Sequence, residues 1–180
     1  WATADDAARR PGIDGESLIE SFTYRADDNR QVLFLRAHGW PQQPTHNNRL
    51  YVSFNDGQGG WSTPYPTDIP DAPSRTEAVK GQDGTIYLIG NQIAYEFDKP
   101  IYLDRDPITI SISKDGYTFD KAYALRVGAP KTYRFDGVTR RNPGFAYSSS
   151  LIKDGWLYTS YSLNKEEIGI SRVKLSDIKF

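Results

Sequence analysis

The segment Phe145–Ser162, FAYSSSLIKDGWLYTSYS, gathers Tyr147, Trp156, Tyr158 and Tyr161 among small polar residues. A phenol can carry a proton and, once a neighbouring base removes that proton, can attack carbon. Tyrosine at this density more often packs a sheet, so any chemistry belongs to one ring rather than to the cluster. Tyr158 and Tyr161 stand in DGWLYTSYS, a phrase that repeats DGTIYLIGN with its Tyr87, and packing is their reading. Tyr147 precedes the phrase, with a core role and a chemical one both open. The cations are individual arginines. Arg36 closes the apolar run VLFLR, and Arg75 enters a strand from a Pro-Ser-Arg loop. A guanidinium fork suits a carboxylate, although an arginine at a strand end is often simply solvated. Glu20 shares the even-numbered strand face with Phe22 and Tyr24, and Glu16 competes with it four residues earlier. Arg105, Arg140 and Arg141 are further cations, and His38 lies just past Arg36.

The rest of the composition removes other chemistries. Cysteine is absent, which excludes disulfides, thiolate metal sites and thiol nucleophiles. Two histidines are too few for a histidine metal site, so no metal and no cofactor are expected. A formal charge of −1 supplies no global field for nucleic acid or membrane, and neither is an expected partner. No apolar run approaches the roughly 18 residues of a membrane-spanning helix. Beginning at Trp1 and lacking Met, the chain reads as a processed or truncated product.

The elements that would position these residues are short strands. Rings and β-branched residues favour a pleated, half-buried surface, and 15 Gly with 11 Pro supply turns. Residues 1–15 read as an irregular segment, and 16–180 as one all-β unit. Strands are expected at Ser17–Tyr24, Gln31–Ala37, Arg49–Phe54, Arg75–Lys80, Thr85–Asn91, Ile108–Ser113, Thr118–Arg126, Phe145–Ile152, Trp156–Ser162 and Ile168–Leu175. The stretch TPYPTDIPDAP reads as a proline-rich loop, and residues 127–144 as a basic one. Two phrases alternate. DNRQVLFLR, DGTIYLIGN and DGWLYTSYS are turns followed by apolar strands; SFNDGQGGWS and SISKDGYTFD end a strand in Ser, turn at Asp-Gly and reopen on an aromatic. A β-sandwich could carry such turns by coincidence, but alternation in one order favours the blades of a β-propeller. Four strands per blade give about three antiparallel blades, the last without its outer strand.

The second phrase resembles the Asp-box, Ser-x-Asp-x-Gly-x-Thr-Trp, of the sialidase (neuraminidase) superfamily. The copy from Ser113 to Phe119 is one residue short, and the copy from Ser53 to Trp61 is one long. More specific is the order Glu, Arg, box, Arg, box, Tyr, in Ile19-Glu20-Ser21-Phe22, Leu35-Arg36, Pro73-Ser74-Arg75 and Ala146-Tyr147-Ser148. The resemblance covers residues 16 to 174 and implies the C-terminal part of a six-bladed propeller, with the N-terminal half on the same precursor or another chain. It implies Tyr147 as nucleophile with Glu20 as its base partner, and Arg36 and Arg75 as a carboxylate clamp. The family's general acid and first clamp arginine would belong to the missing half. These types suit one another chemically. A sialic acid bears a carboxylate on its anomeric carbon, which would repel a carboxylate nucleophile but not a neutral phenol. The implied activity is a retaining exo-glycosidase acting on sialic acid or a similar acidic sugar in a glycan or polysaccharide, secreted or periplasmic. Two alternatives stay open: a lyase or glycosidase for uronate-bearing polysaccharide, and a non-catalytic carbohydrate-binding propeller.

Overall fold

A computed structural model describes residues 12, 17–37, 48–72, 74–93, 105–135 and 143–179. The irregular segment expected over 1–15 falls almost wholly outside them, as do Glu16, His38, Arg140 and Arg141. Eleven strands form three antiparallel sheets among the described residues. The first holds β1 (Leu18–Arg25), β2 (Gln31–Ala37), β3 (Arg49–Phe54) and β4 (Tyr65–Pro70). The second holds β5 (Glu77–Lys80), β6 (Ile86–Gly90), β7 (Ile108–Ser113) and β8 (Lys121–Arg126). The third holds β9 (Phe145–Lys153), β10 (Trp156–Leu163) and β11 (Glu167–Lys174), followed by a single 3-10 turn at Leu175–Asp177. Each sheet is a meander, and its first strand faces that of the next: β1 meets β5, and β5 meets β9. Inner strands meeting in this way are the hub of a propeller, and the three sheets are its blades.

Blade stacking explains why the middle strands are apolar on both faces. In β2, Val32 and Phe34 pack towards Ile86 and Leu88 of the second blade. Leu33 and Leu35 point the other way and cluster with Leu18, Ala37 and Tyr51. In β6, Tyr87 and Ile89 turn towards Phe145, Leu157 and Tyr161 of the third blade. A side-chain period of two then puts an apolar group on both faces of a strand that is covered twice.

The Asp-Gly phrases fold as hydrogen-bonded turns. In the second, Asp115 Oδ1 accepts the N–H groups of Tyr117 and Thr118 at 2.8 Å each and the Ser113 hydroxyl at 2.8 Å. The turn also staples blades together: Tyr24 Oη donates to the Gly116 carbonyl at 2.6 Å, and Tyr117 Oη to Asp28 at 2.8 Å. Gly116 sits at φ +81, where a Cβ would come within 2.8 Å of Ala26 Cα, so no larger residue fits.

One expectation is overturned. The proline-rich stretch read as a loop contains β4, the outer strand of the first blade. It pairs with β3 alone, so its prolines forfeit no second ladder, and the register slips between Arg49 and Tyr51. Arg75 precedes β5 rather than opening it.

Candidate active site

Regular alternation would not place Glu20 where it stands. Ile19 pairs with Arg36 and Phe22 with Phe34, so Glu20 and Ser21 together oppose Leu35 in a β-bulge. The bulge, not even-numbered parity, sets the direction of Glu20, whose φ is +52. The same device recurs two blades later. Ser149 pairs with Ser160 and Ala146 with Ser162, so Tyr147 and Ser148 oppose Tyr161, and Tyr147 has φ +55. Ser148 turns inward and donates to the Ile89 carbonyl at 3.1 Å. Tyr147 turns outward and is 39% exposed. Both bulges lie near the start of an inner strand, at the same end of the blades.

At that end the side chains meet. Tyr147 Oη donates to Glu20 Oε1 at 3.2 Å, while Arg36 Nη1 donates to Glu20 Oε2 at 2.7 Å. One carboxylate thus touches the phenol with one oxygen and a buried guanidinium with the other. Among the described residues, the buried Arg36 Nε has no acceptor. Arg105, 2% exposed, places its guanidinium carbon 5.6 Å from the centre of the Tyr147 ring. Burial, and after it the like charge of Arg36, hold Arg105 below the usual arginine value, while Tyr147, Glu20 and Asp71 oppose that shift. Asp71 is 1% exposed. Burial raises its carboxyl well above the ordinary aspartate range against the pull of Arg36 and Arg105.

The backbone fixes Arg105 against the strand that carries Tyr147. Its N–H donates to the Pro143 carbonyl at 3.1 Å, and its carbonyl accepts the Phe145 N–H at 2.8 Å. The buried Asn91 Nδ2 adds donors to the carbonyls of Arg105, at 3.0 Å, and Pro107, at 2.9 Å. Between them Gly144, at φ +109, passes so close that a Cβ would lie 2.6 Å from the Arg105 carbonyl carbon.

Of the residues singled out from sequence, the structure brings Glu20, Arg36 and Tyr147 together. Arg75 is exposed and acts on Glu77, whose carboxyl burial pushes up; among the described residues no hydrogen bond or ion pair joins it to the other three. Arg105, read only as a further cation, is the second arginine at the site. Its signal in the sequence is a place just ahead of the strand ITISIS, much as Arg75 stands ahead of β5. Asp71 was missed, because a carboxyl in a proline-rich stretch gives no sign of burial. Among the described residues no group of His, Asp and Glu could hold a metal ion. A groove lined by Asp83, Tyr87, Lys153 and Asp154 lies at the far end of β9 and takes no part here.

Comparison with known proteins agrees with the architecture. No curated protein sequence matches. Solved structures do, though the chain spans only 14% to 48% of their lengths. A structure described as a sialidase is 21% identical, covering 89% of this chain and 14% of its own, with a TM-score of 0.65. A xylan β-1,4-xylosidase from Bacillus halodurans C-125 is 12% identical over 92% of this chain and 30% of its own, with a TM-score of 0.56. The GH93 α-L-arabinofuranosidase of Fusarium graminearum, in complex with arabinobiose, is 15% identical over 91% and 48%, with a TM-score of 0.54. These likenesses carry the propeller fold. Residues 4–159 match the BNR repeat-like domain, and the chain belongs to that family.

Proposed function

We propose that these blades carry the nucleophile side of a retaining glycosidase site for a carboxylate-bearing sugar, sialic acid or a close analogue, within an acidic glycan. The observation that carries the reading is the Tyr147–Glu20–Arg36 chain, built on two left-handed bulges in separate blades. Glu20 takes the phenolic proton as the Tyr147 oxygen bonds to the anomeric carbon and the glycosidic bond breaks. Water then attacks the anomeric carbon, giving its proton to the conjugate base of the group that protonated the leaving sugar, and the tyrosyl–sugar bond breaks as Glu20 returns the first proton to the phenol. Arg36 and Arg105 are the clamp for the sugar carboxylate, and Arg105 takes the place that the family resemblance gave to Arg75. The spare Nε–H of Arg36 is a donor that a bound oxygen would satisfy. Protonation of the leaving group falls to an acid outside these three blades.

The test is Tyr147→Phe in the full-length protein, assayed on an aryl sialoside. Turnover should fall by at least a thousandfold, of the order seen when a nucleophile is removed, with an unchanged unfolding midpoint. Hydrolysis at the wild-type rate would sink the nucleophile assignment. An unsaturated uronate product, seen by its absorbance, would instead make the protein a lyase.

A further inference from the structure

Asp71 has no step in the chemistry above, yet at 1% exposure it is more deeply buried than Arg105, Arg36 or Tyr147. It stands on the loop between β4 and β5, where its own N–H donates to the Asn48 carbonyl at 2.6 Å. The next residue, Ala72, donates to the carbonyl of Asn91 at 2.8 Å, and the Asn91 side chain holds the Arg105 carbonyl. One asparagine therefore ties the loop bearing the carboxyl to the segment bearing the arginine. Thr76 Oγ1 approaches Asp71 Oδ1 at 3.5 Å, too long to compensate a buried negative charge. The charges that face it are Arg36 from β2, Arg105 from the segment ahead of β7, and Glu20 from β1.

We propose that Asp71 is the counter-charge switch of the arginine pair: ionised, it balances the charge of Arg36 and Arg105 in the free site and, by taking up a proton, leaves that charge to the carboxylate of an incoming sugar. This rests on the carboxylate-sugar reading given above. With Asp71 ionised, two guanidiniums face two carboxylates and the site is neutral. With Asp71 protonated, one net positive charge remains, which matches one ligand carboxylate. An anion bound to the pair disfavours a second anion beside it, so the bound state favours protonated Asp71. Binding therefore takes up a proton wherever the free site is ionised. Affinity is flat at low pH and falls, at most tenfold per pH unit, above the titration of Asp71 in the free site. Burial raises that titration, in the direction that brings the switch towards neutral pH.

Calorimetry of the full-length protein with 2-deoxy-2,3-didehydro-N-acetylneuraminic acid, from pH 5 to 9 in two buffers of different protonation heat, tests this. Wild type should bind more weakly as pH rises, with an uptake of up to one proton. Asp71→Asn, a neutral side chain of the same shape, should lose both the slope and the uptake, and should bind at least as tightly as wild type at the highest pH. A variant that keeps the wild-type slope, or binds more weakly at high pH, overturns the switch. A second arm needs no ligand and no variant: the Asp71 carboxyl carbon, followed by NMR, should titrate above the ordinary aspartate range. Titration within that range overturns the switch by itself, even where the probe binds. A raised titration without probe binding at any pH overturns the carboxylate-sugar reading, and the switch falls with it.

Discussion

Glu20 and Tyr147 hold φ at +52 and +55, a region that residues other than glycine, asparagine and aspartate seldom enter. Each is the inserted residue of a bulge, and such a backbone costs on the order of 1–3 kcal/mol that the surrounding sheet must offset. What the strain obtains is direction: a strand interior that would bury its side chain instead aims it at the mouth. Stability and activity should therefore separate at Tyr147. Asparagine tolerates this φ, and the ring it would replace is 39% exposed. Tyr147→Asn is expected to leave the urea unfolding free energy within about 1 kcal/mol of wild type or to raise it, while abolishing turnover of an aryl sialoside. The contrast is Tyr161, which faces the same bulge from β10. Its ring packs edge-on to Phe145 at 5.3 Å and its hydroxyl lies 2.8 Å from Ser171 Oγ. Tyr161→Asn should cost about 3–5 kcal/mol. Equal losses at the two positions would show that Tyr147 is a packing residue after all.

At the level of the element, the Asp-Gly turns decide how blades are joined and how they fail in acid. Asp115 is held down to about 2, mainly by the N–H groups of Thr118 and Tyr117, against an ordinary aspartate value of 3.8. A carboxyl depressed in the folded state contributes stability that is complete above its unfolded value and is lost as pH falls through the folded one. The urea midpoint should thus drop between about pH 4 and pH 2, and Asp115→Asn should flatten that part of the curve; an unchanged slope would exclude the turn as its source. These turns were also the most legible feature of the sequence, because Asp-Gly chemistry is local and its spacing survives without knowledge of the partner strand. The apolar strands between them were legible for the same reason. β4 was not, since its prolines argue against a strand unless the strand is known to be an edge. The bulges were equally hidden: a period-two reading predicts a side for every residue and has no means of announcing one inserted residue. The even-numbered parity that groups Glu20 with Phe22 and Tyr24 is thus broken by its own backbone, while its place in the hairpin with Arg36 holds. The family resemblance favours Arg75 through Pro73-Ser74-Arg75, whereas the tie of Arg105 to the entry of β9 through Gly144 is a long-range contact with no mark in the sequence.

Across the whole molecule, the three blades are not equivalent at their faces. The first two bury both faces of their middle strands, whereas the third buries one. Leu157, Thr159 and Tyr161 of β10 turn into the core, and the even-numbered residues share the opposite face with Leu151, Ile168 and Ile170 by register. Ile168 and Ile170 are 83% and 74% exposed there, on β11, the edge of its sheet. Trp156 on the same face is covered by Arg172 and Lys174, at 4.5 and 5.3 Å from its ring, so the apolar stripe ends in charge. An uncovered pair of β-branched residues on an edge strand is a template for association, which flanking cations restrain without abolishing. The 180-residue chain should accordingly associate as its concentration rises, by sedimentation, and bind a hydrophobic dye. The double substitution Ile168→Thr, Ile170→Thr keeps the β-branch and removes the apolar surface. It should lower both signals while shifting the unfolding free energy by no more than about 0.5 kcal/mol, because side chains this exposed contribute little to the folded state. A loss above about 2 kcal/mol would instead mean that these isoleucines are packed in the folded chain, and would overturn the uncovered face.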